Sequence, residues 1–143
     1  MQLEDVVPTT EQIEILYDQL KNRIHNISHK KIPTLEDHKL FIKNNPYRAW
    51  YIIKDSNCMI GNIYVQFDNS IGLNCKNDIS EVQIKNIFNL IRSRISPLEA
   101  KSSVRSGNFF INVASSNKSL QRKLSSIGLE ETQRTYILNT LSN

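Results

Sequence analysis

The stretch that decides the fold is Ala49–Cys75, AWYIIKDSNCMIGNIYVQFDNSIGLNC. Ala49 to Ile53 is aromatic and β-branched, and from Met59 to Phe67 the residues Ile63, Val65 and Phe67 alternate with Asn62, Tyr64 and Gln66, the period-two pattern of a half-buried strand. Asp55, Ser56 and Asn57 before it, and Asp68, Asn69 and Ser70 after it, are turn residues whose short polar side chains bond their own backbone. With Ile71 to Cys75 the stretch reads as a three-stranded antiparallel meander. Gly61 and Gly72, inside strands, mark bulges or close backbone approach.

Outward from the meander the period changes to that of helices. Upstream, Thr9 and Gln12 form a capping-box pattern, followed by one apolar stripe of Ile13, Leu16, Leu20, Ile24 and Ile27. A second, short helix starts at the N-cap Thr34 and ends at Asn44, Asn45 and Pro46, and Met1–Val7 suits a short opening strand. Downstream, a helix with Asp78 or Ser80 as N-cap turns Ile84, Ile87, Phe88, Ile91 and Ile95 to one side and stops before Pro97. Residues 96–107 form a polar connector. Phe109–Ala114 reads as a buried strand, Ser116–Ile127 as a helix with Leu120, Leu124 and Ile127 inward and Gly128 at C′, and Thr135–Leu138 as a closing strand. The predicted order, β-α-α-β-β-β-α-β-α-β, implies an α/β sandwich on a mixed, mostly antiparallel sheet.

A chain of 143 residues with 39% hydrophobic and 22% charged residues, four glycines and four prolines is composed as one globular domain over residues 1–143, and disordered or low-complexity classes are excluded. Two cysteines are too few for a disulfide framework, and the longest apolar run, Ala49–Ile53, is too short to span a bilayer. The acidic start MQLEDVVP lacks a signal-peptide pattern, so a cytoplasmic setting with free thiols at Cys58 and Cys75 and no membrane partner is expected. The net charge of +4 is unevenly spread. Glu4, Asp5, Glu11, Glu14 and Asp18 face no Lys or Arg within the first twenty residues, and the rest of the chain carries +9. Such a body attracts anions, but charge alone does not select nucleic acid, which is not the expected partner. His25, His29 and His38 lack ligand-spaced carboxylate or cysteine partners, so no metal site is expected. His25 is read as complementing the dipole at the end of its helix.

Element order and particular residues together resemble the GNAT superfamily of acyl-CoA-dependent N-acetyltransferases over essentially the whole chain. The carriers are His29, His38 of the EDH helix, Pro46, Tyr47 and Trp50 of PYRAW, and Gly61 and Tyr64 of IGNIY. At the other end stand Asn112, Asn117, Gly128, Gln133, Thr135 and Tyr136, an NxxxxN, helix, Gly, QxTYxL ending. The resemblance implies transfer of an acetyl group from acetyl-CoA to a primary amine, on a small molecule or a peptide, by direct attack in a cleft where the fourth and fifth strands splay. Cofactor contacts would come from the backbone of Leu73, Asn74 and Cys75, from Ser80, Val82 and Gln83 at the next helix start, and from Asn112 and Asn117, with Lys76, Lys118 and Arg122 near the 3′-phosphate. His29 or His38 would accept the ammonium proton, Tyr136 or Tyr64 or water would protonate the thiolate, and Tyr47 and Trp50 would be core or cleft-wall aromatics. A homodimer through sheet edges or terminal strands is compatible with the resemblance. The acidic first twenty residues would border the acceptor side and suit a cationic amine.

Two departures keep a second reading open, a non-catalytic GNAT-fold binding or assembly module with weak or no CoA binding. The superfamily's pyrophosphate loop, an arginine or glutamine followed by xxGxG or xxGxA, is replaced by KNDISEVQIK at 76–85, without a glycine and with Asp78 and Glu81 beside the expected anion. The helix position that carries a tyrosine acid in many relatives holds Leu124.

Overall fold

In the computed structural model, residues 1–25 and 31–142 are described. Their elements are β1 (Gln2–Asp5), α1 (Thr10–Lys21), α2 (Leu35–Lys43), β2 (Ala49–Asp55), β3 (Cys58–Val65), β4 (Ser70–Cys75), α3 (Glu81–Arg94), β5 (Phe110–Ile111) and α4 (Lys118–Ser126). The meander forms, but β3 ends at Val65, and Phe67, read as the end of its alternation, is exposed. Ser56 and Asn57 take positive φ of 50° and 63°, the left-handed pair that closes a tight hairpin without splaying β2 and β3. The sheet order is β1-β2-β3-β4-β5, antiparallel throughout except for the parallel β4–β5 pair.

Alternation assigns the faces. Tyr51, Ile53, Ile63, Val65 and Ile71 pack against Ile84, Ile87 and Ile91 of α3 and Leu124 of α4, while Trp50 and Ile52 pack against Ile13 and Leu16 of α1 and Ile42 of α2. Each fully buried isoleucine contributes about 1.5–3 kcal/mol, so these two cores hold the helices to the sheet. Ser80, not Asp78, caps α3, and Gly128 at φ +100° ends α4 with its N–H on the Ser125 carbonyl and that of Leu129 on the Leu124 carbonyl. Asn69, read as a turn residue, is fully buried: its amide donates to the carbonyls of Leu98 and Ser106 and accepts from Leu98 N–H, fastening the 96–107 connector to the sheet.

Three further boundaries differ from the sequence reading. α1 stops at Lys21, where Asn22 caps it, and Ile24 is 69% exposed instead of continuing the stripe; Ile27 lies outside the described residues. The strand read at Phe109–Ala114 shrinks to Phe110–Ile111. Thr135–Leu138 forms no strand: Tyr136 is 83% exposed, and Ile137 and Leu138 are exposed with it. Strand propensity is not enough without a ladder, and β5 contributes only two paired residues.

The glycines in the meander are required by contact. A Cβ at Gly72 would overlap the Tyr64 ring, and one at Gly61 would overlap the Asn74 carbonyl oxygen. Gly72→Ala is therefore expected to lower unfolding free energy by about 1–3 kcal/mol, the usual cost of overpacking. In urea denaturation, adding Tyr64→Ala should recover part of that loss, whereas additive losses would show that the ring is not the obstacle.

Candidate functional site

The cleft exists because β4 outruns β5. Gln66 N–H bonds the Ser70 carbonyl and Lys76 N–H bonds the Ile60 carbonyl. With the register between them, the peptide groups of Ser70, Gly72, Asn74 and Lys76 therefore face β3, and those of Ile71, Leu73 and Cys75 face the other way. The Ile71 carbonyl accepts Asn112 N–H at 3.2 Å, and there the parallel ladder stops. Beyond it Leu73 and Cys75 border a cavity of about 280 Å³, closed by the end of α1 on one side and by Asn117, Leu120 and Lys123 on the other.

Of the residues singled out in the sequence, Leu73, Asn74, Cys75 and Asn117 converge on this cavity. Asn117 also caps α4, its Oδ1 accepting Leu120 N–H at 3.2 Å. Ser80, Val82 and Gln83 do not join them. Ser80 and Gln83 form a reciprocal capping box, Gln83 Nε2 further donates to Asp55 Oδ2 at 2.8 Å, and Val82 is 66% exposed. The N–H groups of Ser80 and Gln83 at the start of α3 thus bond to the helix's own side chains. Asn112 closes the ladder through its main chain and is exposed. His29 lies outside the described residues. His38 is buried between α1 and α2 beside the Tyr17 ring, its Nε2 without a partner. Tyr136 lies in the exposed C-terminal segment, off the cavity.

Residues the sequence reading missed complete the walls. His25 lies beyond α1, and its Nδ1 is 2.8 Å from Ser116 Oγ, so it joins the end of α1 to the start of α4 across the cleft; this replaces the helix-dipole reading. Arg23 also lines the cavity and donates from Nη1 to Asn74 Oδ1 at 3.2 Å. Tyr47 and Tyr64 stack at 4.0 Å with their rings 10° apart. Burial pushes both phenols above the usual range against the opposing pull of the Arg23 charge, so each keeps its proton. Of the five early acids, only Asp18 reaches the cavity; Glu4, for instance, pairs with Lys54 at 2.8 Å at the far edge of the sheet. The expected acidic acceptor wall is therefore not what the chain builds.

Among the described residues no group of three or more His, Cys, Asp or Glu side chains is placed to hold a metal ion, and no helix is long and apolar enough to cross a membrane. The chain matches no family model, and no curated protein matches it. Among solved structures it is similar to one described as a possible acetyltransferase from Clostridium difficile 630, with a TM-score of 0.55 and 9% identity over 99% of this chain and 98% of that chain. The two share a fold. At that identity the likeness concerns backbone architecture: a five-stranded, mostly antiparallel sheet with helices on both faces.

Burial pushes the Cys75 thiol up to about 12, so it is un-ionised and a poor nucleophile, whereas Cys58 is exposed. Iodoacetamide at about pH 8 is expected to alkylate Cys58 and to spare Cys75 until the protein is unfolded, as peptide mass mapping would show. Burial holds the His38 pKa below its ordinary 6.5. The unfolded chain then takes the proton first, so the stability due to neutral His38 is complete above the unfolded pKa and declines as pH falls through it toward the folded value. The urea midpoint should drop between about pH 7 and pH 5.5, and His38→Leu should flatten that slope; an unchanged slope would rule out His38 as its source.

Proposed function

We propose that the cleft binds acetyl-CoA and that the chain, acting as one unit, transfers the acetyl group to a primary amine by direct attack. The observation that carries this reading is the open edge of β4. Leu73 and Cys75 turn main-chain groups that bond no other described residue into a cavity beside a strand ladder that ends at Ile71, in a fold shared with a possible acetyltransferase. An amide-rich pantetheine arm would complete that ladder as β5 does not, and a main-chain N–H there would stabilise the oxyanion of the attacked thioester. The amine nitrogen forms the new bond to the acetyl carbon, the carbon–sulfur bond breaks, and the CoA thiolate takes a proton. We assign that last step to Tyr64, which keeps its proton; Leu124 cannot serve it. His25, the imidazole among the described residues that lines the cavity, takes the ammonium proton. Asn74 and Asn117 hold cofactor amides, and Lys76 and Lys123 face its phosphates.

The second reading, a binding module that has lost turnover, is favoured by the start of α3, where the Ser80–Gln83 capping box and Glu81 occupy the place of an anion-binding loop. Calorimetry with acetyl-CoA separates the two. Saturable binding, followed by acetylation of a panel of small amines that His25→Ala slows by about 10²–10⁴-fold, supports the transferase. No heat at about millimolar acetyl-CoA would sink it. Glu81→Gln, which removes the acid from the first turn of α3, is expected to tighten acetyl-CoA binding about twofold to fivefold, the effect of ~0.3–1 kcal/mol for a charge at a helix N-terminus.

A further inference from the structure

Two features of the fold lack a partner among the described residues, and each has the form the other needs. The first is the segment after α4. Once Leu129 N–H has bonded the Leu124 carbonyl, no main-chain hydrogen bond ties residues 130–142 to the rest of the described chain, and every residue from Gly128 to Ser142 is exposed. Tyr136, Ile137, Leu138 and Leu141 are 75–83% exposed, although a segment lying along its own domain would be covered on one side. Thr135–Leu138 thus has strand composition and no surface to lie on, and soluble chains seldom leave such a run in water. The second feature is the outer edge of β5. Phe110 N–H bonds the Asn69 carbonyl and Asn112 N–H bonds the Ile71 carbonyl, so the peptide groups of those two residues face β4. Those of Phe109, Ile111 and Val113 point the other way, where no strand follows β5 in the sheet order. The side chains of these three pack against the α3–α4 core, so a further strand on this edge would lengthen an apolar face.

We infer that two copies of this chain pair by exchange, the Thr135–Leu138 segment of each adding a strand to the outer edge of β5 of the other. Within one copy the tail stands clear of its own β5, and a single ladder on so short a strand would not hold it. Reciprocal exchange forms two ladders at once, satisfies both open edges and covers both tails. It brings Tyr136, Ile137, Leu138 and Leu141 from each of two tails to the contact, on the order of 1,000 Å² of surface before the opposing face is counted, which is the scale of a stable pair. Charge favours the same arrangement. The tail holds Glu130 and Glu131 against Arg134, whereas the elements on either side of β5 in the chain, the 101–105 turn and α4, hold Lys101, Arg105, Lys118, Arg122 and Lys123 and no acid. The inference stands apart from acetyl transfer and needs no cofactor.

Sedimentation of the full chain over a concentration series is expected to reach twice the 16.5 kDa of one copy. Tyr136→Pro and Ile137→Pro sharpen the test, because adjacent N–H groups of a strand point opposite ways and one of the two must lie in the ladder. At least one of these variants should weaken the pair about tenfold or more, from the loss of one hydrogen bond in each of two ladders. Trp50 fluorescence should stay as it is in the unaltered chain, since the tail bears no load in the fold of its own copy. Hydrogen exchange should show the Ile111 amide and alternate tail amides slowing together as the dimer forms. A mass of one copy at every concentration would overturn the inference, as would a dimer that both proline variants leave intact. So would tail amides protected in the monomer, the sign of a tail folded back on its own β5, or protection of Leu73 and Cys75 in place of Ile111, which would put the tail in the cleft.

Discussion

The structure depends on a mismatch in length between two neighbouring strands. β4 runs on to Cys75, but its parallel partner β5 pairs only at Phe110 and Ile111. A sheet interior normally leaves no peptide group unmet, because each buried N–H or carbonyl without a partner costs about as much as a lost hydrogen bond. The interruption is tolerable where solvent or a ligand can enter, and the chain places a cavity there. Connector and capping residues support the arrangement: Asn69 fastens residues 96–107 so that β5 begins beside Ser70, and Asn117 starts α4 just past the point where the strands part.

The two faces of the sheet use different physics. Toward α3 and α4 the contacts are isoleucine on isoleucine and valine, with burial as their driving force. Toward α1 the apolar core of Ile13, Leu16, Trp50 and Ile52 gives way, near the cleft, to amides and a guanidinium bonded in sequence. Such a chain is stable only when each member is satisfied, and Trp50, which belongs to both the apolar core and the polar chain, joins them. Tyr64, its ring over Gly72, stacks on Tyr47 between the two regions.

Much of the fold was legible because its signals are local. Alternation of the buried Ile63 and Val65 with Tyr64, the Ser56–Asn57 turn, the Thr9, Thr34 and Ser80 caps and Gly128 after α4 each act within a few residues of themselves. The failures are long-range. Thr135–Leu138 has strand composition, but a strand is defined by its neighbour, and the short β5 offers too little ladder. Ile24 keeps the helical period after Asn22 has already ended the helix. For the site, Leu73, Asn74, Cys75 and Asn117 were named from the family resemblance, which implies a cleft where the fourth and fifth strands splay, and all four line the cavity. Arg23 and His25 were missed because they sit outside any regular element, where sequence period carries no information about direction.

The sequence by itself determined which segments become strands and helices, which faces they bury, and that no glycine-rich loop precedes α3, because these follow from residue type and spacing along the chain. Only the tertiary structure decided what the cleft offers to a ligand. The acids of the first twenty residues suggested a wall suited to cations. Folding carries Glu4 to Lys54 at the sheet's far edge and brings Arg23 against Asn74, fifty-one positions away in the chain. Hydrogen-bond direction in the amide chain likewise depends on donor-only groups supplied by separate elements, Trp50 on β2 and Arg23 beyond α1. Charge and hydrogen bonding act through space, over a few ångströms, and the chain's order does not record which distant residues those few ångströms will join.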